Sequence, residues 1–150
     1  MSFTFASFAN VSPTPTTPAA KEIQVKAVKL SATDFVTGGT ASVKAFLPAD
    51  ASIVGIRQWT KTTFAGNGVT VVSLQIGITG TVAKYLAAST LALTGPSVVA
   101  FPTGALGATG AFQEFDPSAP GGDVPLLFTG TATTGNPTSG EAYILIEYVR

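Results

Sequence analysis

The sequence contains no cysteine and no histidine. Without cysteine there is no disulfide and no thiolate metal site, and the redox compartment leaves no trace in the chain. Without histidine, Ser–His and Cys–His nucleophiles, imidazole metal ligands and the usual neutral-pH proton shuttle are excluded. Charge is also scarce, at 11% of residues against about 25% in an average soluble protein. The net charge is zero, which argues against a general attraction to nucleic acid. No apolar run approaches the ~18–20 residues that span a membrane. The N-terminus has neither a basic region nor a continuous apolar stretch, so no signal peptide is expected. A surface this poor in charge is covered by Ser, Thr, Asn and Gly, or is buried against partners.

The first twenty residues stand apart. They carry Phe3, Phe5 and Phe8, then a Ser/Thr/Pro/Ala run with Pro13, Pro15 and Pro18, and no charge. Such a segment builds no core, and its proline spacing favours an extended, polyproline-type path. We read residues 1–20 as an extended arm and residues 21–150 as a single domain with enough chain for a hydrophobic core. Phenylalanines in an arm of this kind are expected to anchor in a neighbouring subunit, with folding back onto the chain's own sandwich as the alternative.

From Lys21 onward the pattern is of short β segments separated by turn residues. Residues 21–30 alternate, with Ile23, Val25 and Ala27 on one face and Glu22, Gln24 and Lys26 on the other, as in a half-buried strand. Gly38-Gly39 marks a turn, and residues 41–47 follow as a strand. Residues 52–64 and 69–78 flank Asn67-Gly68, a strong reversal signal, and read as one hairpin. Residues 81–88 are the only stretch with helical character. Residues 91–93 and 97–101 read as short strands, 102–123 as a loop with five glycines and three prolines, and 124–131 as a strand. The last strand, 141–150, is apolar on both faces and is therefore expected at the centre of a sheet. About eight strands with essentially no helix imply an all-β fold, a β-sandwich or jelly roll.

Few residues invite chemistry. No phosphate-binding glycine loop and no Gly-x-Ser-x-Gly elbow is present. Glu114, Asp116 and Asp123 lie in the long loop. They are read as solvated loop acids, ahead of a cation site or a carboxylate pair. No catalytic residue, metal ligand or cofactor site is assigned. Trp59, the only tryptophan, is placed on a strand face with Ile53, Gly55, Arg57 and Lys61. It is read as a core or interface anchor, with a glycan-stacking platform as the alternative; Tyr85, Phe112 and Phe115 are further candidates for contact. A nucleic-acid stacking surface around Arg57 and Lys61 is disfavoured by the zero net charge. Charge is also unevenly spread: seven basic residues against three acidic ones up to residue 84, and one against five beyond it. Chance accounts for such small numbers; contacts between unlike faces of neighbouring copies are the sharper reading.

Four stretches carry a family resemblance: VKAFLPADASIVGI at 43–56, KTTFAGNGVTVVSLQIG at 61–77, AKYLAASTLALTG at 83–95 and SGEAYILIEYVR at 139–150. Together they resemble small virion structural proteins of tailed bacteriophages. The resemblance implies a non-enzymatic β-sandwich or jelly-roll subunit present in many copies, made in the bacterial cytoplasm and resident on the capsid surface. A head decoration (cement) role is the favoured one, with the major capsid protein and copies of the chain itself, as a homotrimer, for partners. A tail, neck or fibre-base role fits the same resemblance. It implies no cofactor, no nucleic acid, no membrane and no small-molecule substrate.

Overall fold

The computed structural model describes residues 22–48, 51–100 and 123–149. They form eight strands: β1 (Gln24–Ser31), β2 (Thr40–Leu47), β3 (Ser52–Ala65), β4 (Val71–Ile78), β5 (Thr81–Thr90), β6 (Ser97–Ala100), β7 (Val124–Thr133) and β8 (Ser139–Val149). One 3-10 turn, Ala32–Asp34, follows β1. Two four-stranded antiparallel sheets result, in the orders β1-β8-β3-β6 and β2-β7-β4-β5. The pairings run from the outside inward: β1 with β8, β2 with β7, β3 with β6 and β4 with β5. This is a long antiparallel ribbon rolled on itself, and the roll closes where β8 also pairs with β3 and β7 with β4. The fold is a jelly roll, within the all-β class that the strand pattern implied.

The core lies between the sheets. Alternate residues of each strand face inward, among them Ile144 and Ile146 of β8, Leu126 and Phe128 of β7, and Leu74 and Ile76 of β4. Phe35, fully buried, packs edge-on against Phe64 with ring centroids 5.0 Å apart. Strand β8 lies between β1 and β3, at the centre of its sheet, as its two apolar faces led us to expect.

Four local readings are corrected. The Asn67-Gly68 turn exists, with φ of +48° and +70°, but β3 and β4 enter opposite sheets, so the segment is an arch and not a hairpin. The turn residues set the reversal; the layer to which the chain returns is set by partners distant in sequence, β8 for β3 and β7 for β4. Residues 81–88 are strand rather than helix, because β5 pairs along β4. The approach is close at Gly77, where a Cβ would lie 2.1 Å from the Thr81 carbonyl oxygen. Residues 91–93 are not a strand. They cross between the layers: the Leu91 N–H donates to Val72 O at 2.9 Å on one sheet, and the Phe64 N–H donates to Leu93 O at 2.9 Å on the other. Buried Gln58 holds this crossing. Its amide donates to Ala92 O at 3.1 Å and accepts from Ala92 N at 3.0 Å, while the Thr60 hydroxyl donates to the same carbonyl at 2.8 Å. The fourth correction is the phase of β1. Val28 and Leu30 face the core, and Ile23, Val25 and Ala27 face outward.

Candidate interaction surface

The outward phase of β1 creates an apolar face on the β1-β8-β3-β6 sheet. The register sets its rows. Lys29 lies opposite Tyr143, Tyr143 opposite Trp59, and Trp59 opposite Val98. The next row runs Ala27, Leu145, Arg57; the one beyond is Val25, Glu147, Gly55. Val25 is 56% exposed and Val98 66%. Trp59, at 37%, stacks on Tyr143 with centroids 5.2 Å apart and ring planes 24° from parallel. One face of each ring is therefore covered by the other, an offset cross-strand pair worth about 0.5–1.5 kcal/mol beyond its buried area.

Sequence reading placed Trp59 with Gly55, Arg57 and Lys61, and the structure keeps those residues outward. It separates Ile53, which is buried, because the register shifts between Ile53 and Gly55. A bulge adds one residue and so flips the alternation beyond it. Of the other candidates, Phe3, Phe5, Phe8, Phe112, Phe115, Glu114 and Asp116 lie outside the described residues. Asp123 immediately precedes β7, and Tyr85 is buried in the core and so is no surface contact. Val25, Tyr143 and Val98 were missed as members of a surface; the signal for Val25 was present in the β1 alternation but was read with the opposite phase.

Ion pairs are interspersed in this face. Glu141 accepts from Lys29 at 2.8 Å and from Lys61 at 3.0 Å, and the Tyr143 hydroxyl donates to it at 3.1 Å. The hydrogen bond from Lys29, then that from Lys61, hold the Glu141 carboxyl down at about 2; the same contact raises the Lys29 ammonium above its ordinary value. Arg57 pairs with Glu147 in the adjacent strands. Gly55 gives that carboxylate room, since a Cβ there would lie 2.7 Å from Glu147 Oε2. Three cations of the basic first half thus meet two acids of the last strand within one sheet.

A fourth pair sits on the other side of the molecule. Lys44 Nζ lies 2.5 Å from Asp34 Oδ1 at the β2 bulge, where Asp34 also accepts from the Ser31 N–H at 2.8 Å. Burial works to raise the Asp34 carboxyl, but these hydrogen bonds outweigh it and hold the group below its ordinary value. The crevice beneath this pair, lined by Leu30, Phe35, Leu74 and Phe128, admits no water molecule. Among the described residues no cluster of three acidic side chains is spaced to hold a metal ion, and no helix is long and apolar enough to cross a membrane. What the described surface offers is an apolar face with its charges mutually neutralised, which suits binding by contact area.

Comparison with solved structures finds chains of similar fold. The chain is similar to one in the cyanophage Pam1 capsid asymmetric unit, with a TM-score of 0.58, 19% identity and 99% of each chain covered. It also matches a chain in the capsid of Ralstonia phage GP4, with a TM-score of 0.46, 19% identity and 89% and 88% coverage of this chain and that one. A third match, in Bacillus endospore appendages, has a TM-score of 0.40, 15% identity and 86% and 89% coverage. At 19% identity the likeness to the Pam1 chain is one of fold. No family model matches the sequence, and no curated protein matches it.

Proposed function

We propose that this chain is a non-enzymatic virion structural protein, a decoration or cement subunit that binds the outer surface of a phage capsid through many modest contacts. The observation that carries the reading is the end-to-end likeness of the jelly roll to a chain of a cyanophage capsid. The composition supports it: a chain without histidine or cysteine has little catalytic equipment, and low surface charge suits lateral packing. In this reading the outer face around Trp59 packs on a neighbour, as a homotrimer or against the major capsid protein. Phe3, Phe5 and Phe8 act as arm anchors, and Phe112 and Phe115 add contacts from the long loop. Weak contacts repeated across a multivalent particle sum to firm attachment.

The test is location. The gene is tagged in its own genome, particles are purified by density gradient, and the tag is located by cryo-electron microscopy. Density at regular positions on the head exterior supports the cement role. Density at the tail, neck or fibre base moves the chain to that alternative, and particles lacking the tag refute a virion role altogether. The carbohydrate-binding alternative is narrowed by the Trp59–Tyr143 stack, which covers one face of each ring. Reproducible glycan-array binding lost in Trp59→Ala would restore it.

A further inference from the structure

The four border strands of the two sheets are not equally defended against pairing with another chain. A free strand edge presents unpaired N–H and C=O groups, and proteins blunt it with short strands, bulges or inward charges. β6 is only four residues long. β5 shifts register twice against β4. β2 is bulged between Val43 and Ala45, with Lys44 at the bulge tied to Asp34. β1 is neither short nor bulged; its defence is the charge of Lys26 and Lys29, which opposes a second charged strand but not a neutral one. It pairs with β8 over eight consecutive residues without a break, among the described residues it has no partner on its other side, and it carries exposed Ile23, Val25 and Ala27 beside the open edge.

We propose that β1 of one copy accepts residues 2–9 of a second copy as an added strand. This rests on the multi-copy structural role proposed above and names the partner of the arm. The donor segment, SFTFASFA, matches the eight residues of β1 in length and contains no proline. Its Phe3 and Phe5 alternate, so in a strand they share one face. That face meets Val25 and Ala27 on the outer side of the sheet. Main-chain hydrogen bonds then supply affinity and the alternate side chains supply specificity, the general mode of strand addition.

Two observations favour this occupant over others. A second β1 would bring Lys26 and Lys29 alongside their own copies, whereas residues 2–9 carry no charge. The chain's own arm is disfavoured by its spacer. Every strand pairing in both sheets is antiparallel, and antiparallel addition to its own β1 would require residues 10–21 to double back. Pro13, Pro15 and Pro18 oppose this, since a polyproline path of twelve residues extends for about 37 Å. The same spacer carries residues 2–9 to a neighbour.

The absence of native cysteine makes the test clean. Full-length chains carrying Ser7→Cys are mixed with full-length chains carrying Val25→Cys or Ala27→Cys and mildly oxidised; directly paired strands bring Cα atoms within the 4.4–6.8 Å that a disulfide needs. A control partner carries Val82→Cys on the β5 border, also exposed. We expect a covalent dimer with a β1 cysteine, at least fivefold above the Val82→Cys control, and its loss when Phe3→Ala and Phe5→Ala are added to the donor. Yield equal to the control, no dimer at millimolar protein, or a bond closing within one chain of Ser7→Cys/Ala27→Cys on dilution would each overturn the proposal. The two readings fail separately. A chain found on particles that gives no dimer loses only the strand exchange. A specific dimer from a chain absent from particles loses only the virion role.

Discussion

The hydrogen-bonded crossing at Gln58 provides a direct test of how the two sheets are tied. Among the described residues, Gln58→Leu removes the acceptor of the Ala92 N–H, at 3.0 Å, and one of two side-chain donors to Ala92 O. The carbonyl keeps the Thr60 hydroxyl at 2.8 Å, so one backbone group is orphaned. An unsatisfied donor costs about 1–3 kcal/mol when fully buried, and Ala92 is half-buried, which places the expected cost at the lower end of that range. In a domain of this size that lowers Tm by roughly 2–4 °C per kcal/mol. Thr60→Val leaves Ala92 O with the Gln58 amide and should cost less, about 0.5–1.5 kcal/mol. Gln58 faces the core while its neighbour Trp59 faces outward, so the variant probes the core without altering the outer face. Urea melts give the order of the two costs, and amide hydrogen exchange reads Ala92 directly. If Gln58→Leu is as stable as the parent, or if exchange at Ala92 is unchanged, the clamp is not holding the crossing and the reasoning fails.

Three further outcomes follow from the geometry. Gly140 has φ +140° and a Cβ there would lie 2.2 Å from the Phe64 ring; Gly140→Ala should destabilise by about 1–3 kcal/mol through overpacking, measurable as a lower urea midpoint, whereas Gly38→Ala, with open space around its Cβ, should cost less. Glu141 is depressed from 4.5 to about 2 in the folded state, so its contribution is complete above about 4.5 and is lost as pH falls through about 2; a Tm series against pH should show a shallower acid limb for Glu141→Gln, and an identical limb would refute the ion-pair assignment. Removal of residues 1–20 should leave the sandwich folded, with a sharp thermal transition, while weakening attachment to its assembly. Phe3, Phe5 and Phe8 to Ala together should reproduce that loss, since each buried Phe is worth roughly 1.5–3 kcal/mol; loss of folding in the deletion, or unchanged attachment in the triple variant, would refute the arm's role.

Strand positions were legible in the sequence because period-2 alternation and Gly/Pro punctuation are local signals. The layer assignment was not. Asn67-Gly68 reports a reversal, but an arch between sheets and a hairpin within one use the same turn chemistry. The choice depends on β8, about eighty residues later. β5 was obscured because Ala, Lys and Leu are good helix formers, and only pairing with β4 overrides that preference. The phase of β1 was misread for a related reason. Both of its faces carry apolar residues, Ile23, Val25 and Ala27 on one and Val28 and Leu30 on the other, and alternation alone does not say which set the core receives. The bulge at Ile53/Gly55 likewise left no mark in the sequence, so Ile53 was grouped with Trp59. The phase of β1 bears on function, because Val25 and Ala27 form part of the exposed face.

The uneven charge along the chain has a topological cause. In a jelly roll the first and last strands are neighbours, and β8 lies between β1 and β3. A sequence basic early and acidic late therefore places Lys29, Lys61 and Arg57 against Glu141 and Glu147 across adjacent strands, with no second copy required. The head-to-tail reading of that asymmetry is unnecessary for these residues. Surface pairs of this kind contribute little to stability, typically 0–1 kcal/mol, and their larger effect is on recognition. A face whose cations are already matched has little electrostatic steering to offer a charged partner. Its selectivity must come from the apolar side chains of Val25, Ala27, Leu145, Tyr143, Trp59 and Val98, and from the open hydrogen-bonding edge of β1. Both favour a neutral, aromatic segment, and the chain's first nine residues carry three phenylalanines and no charged side chain.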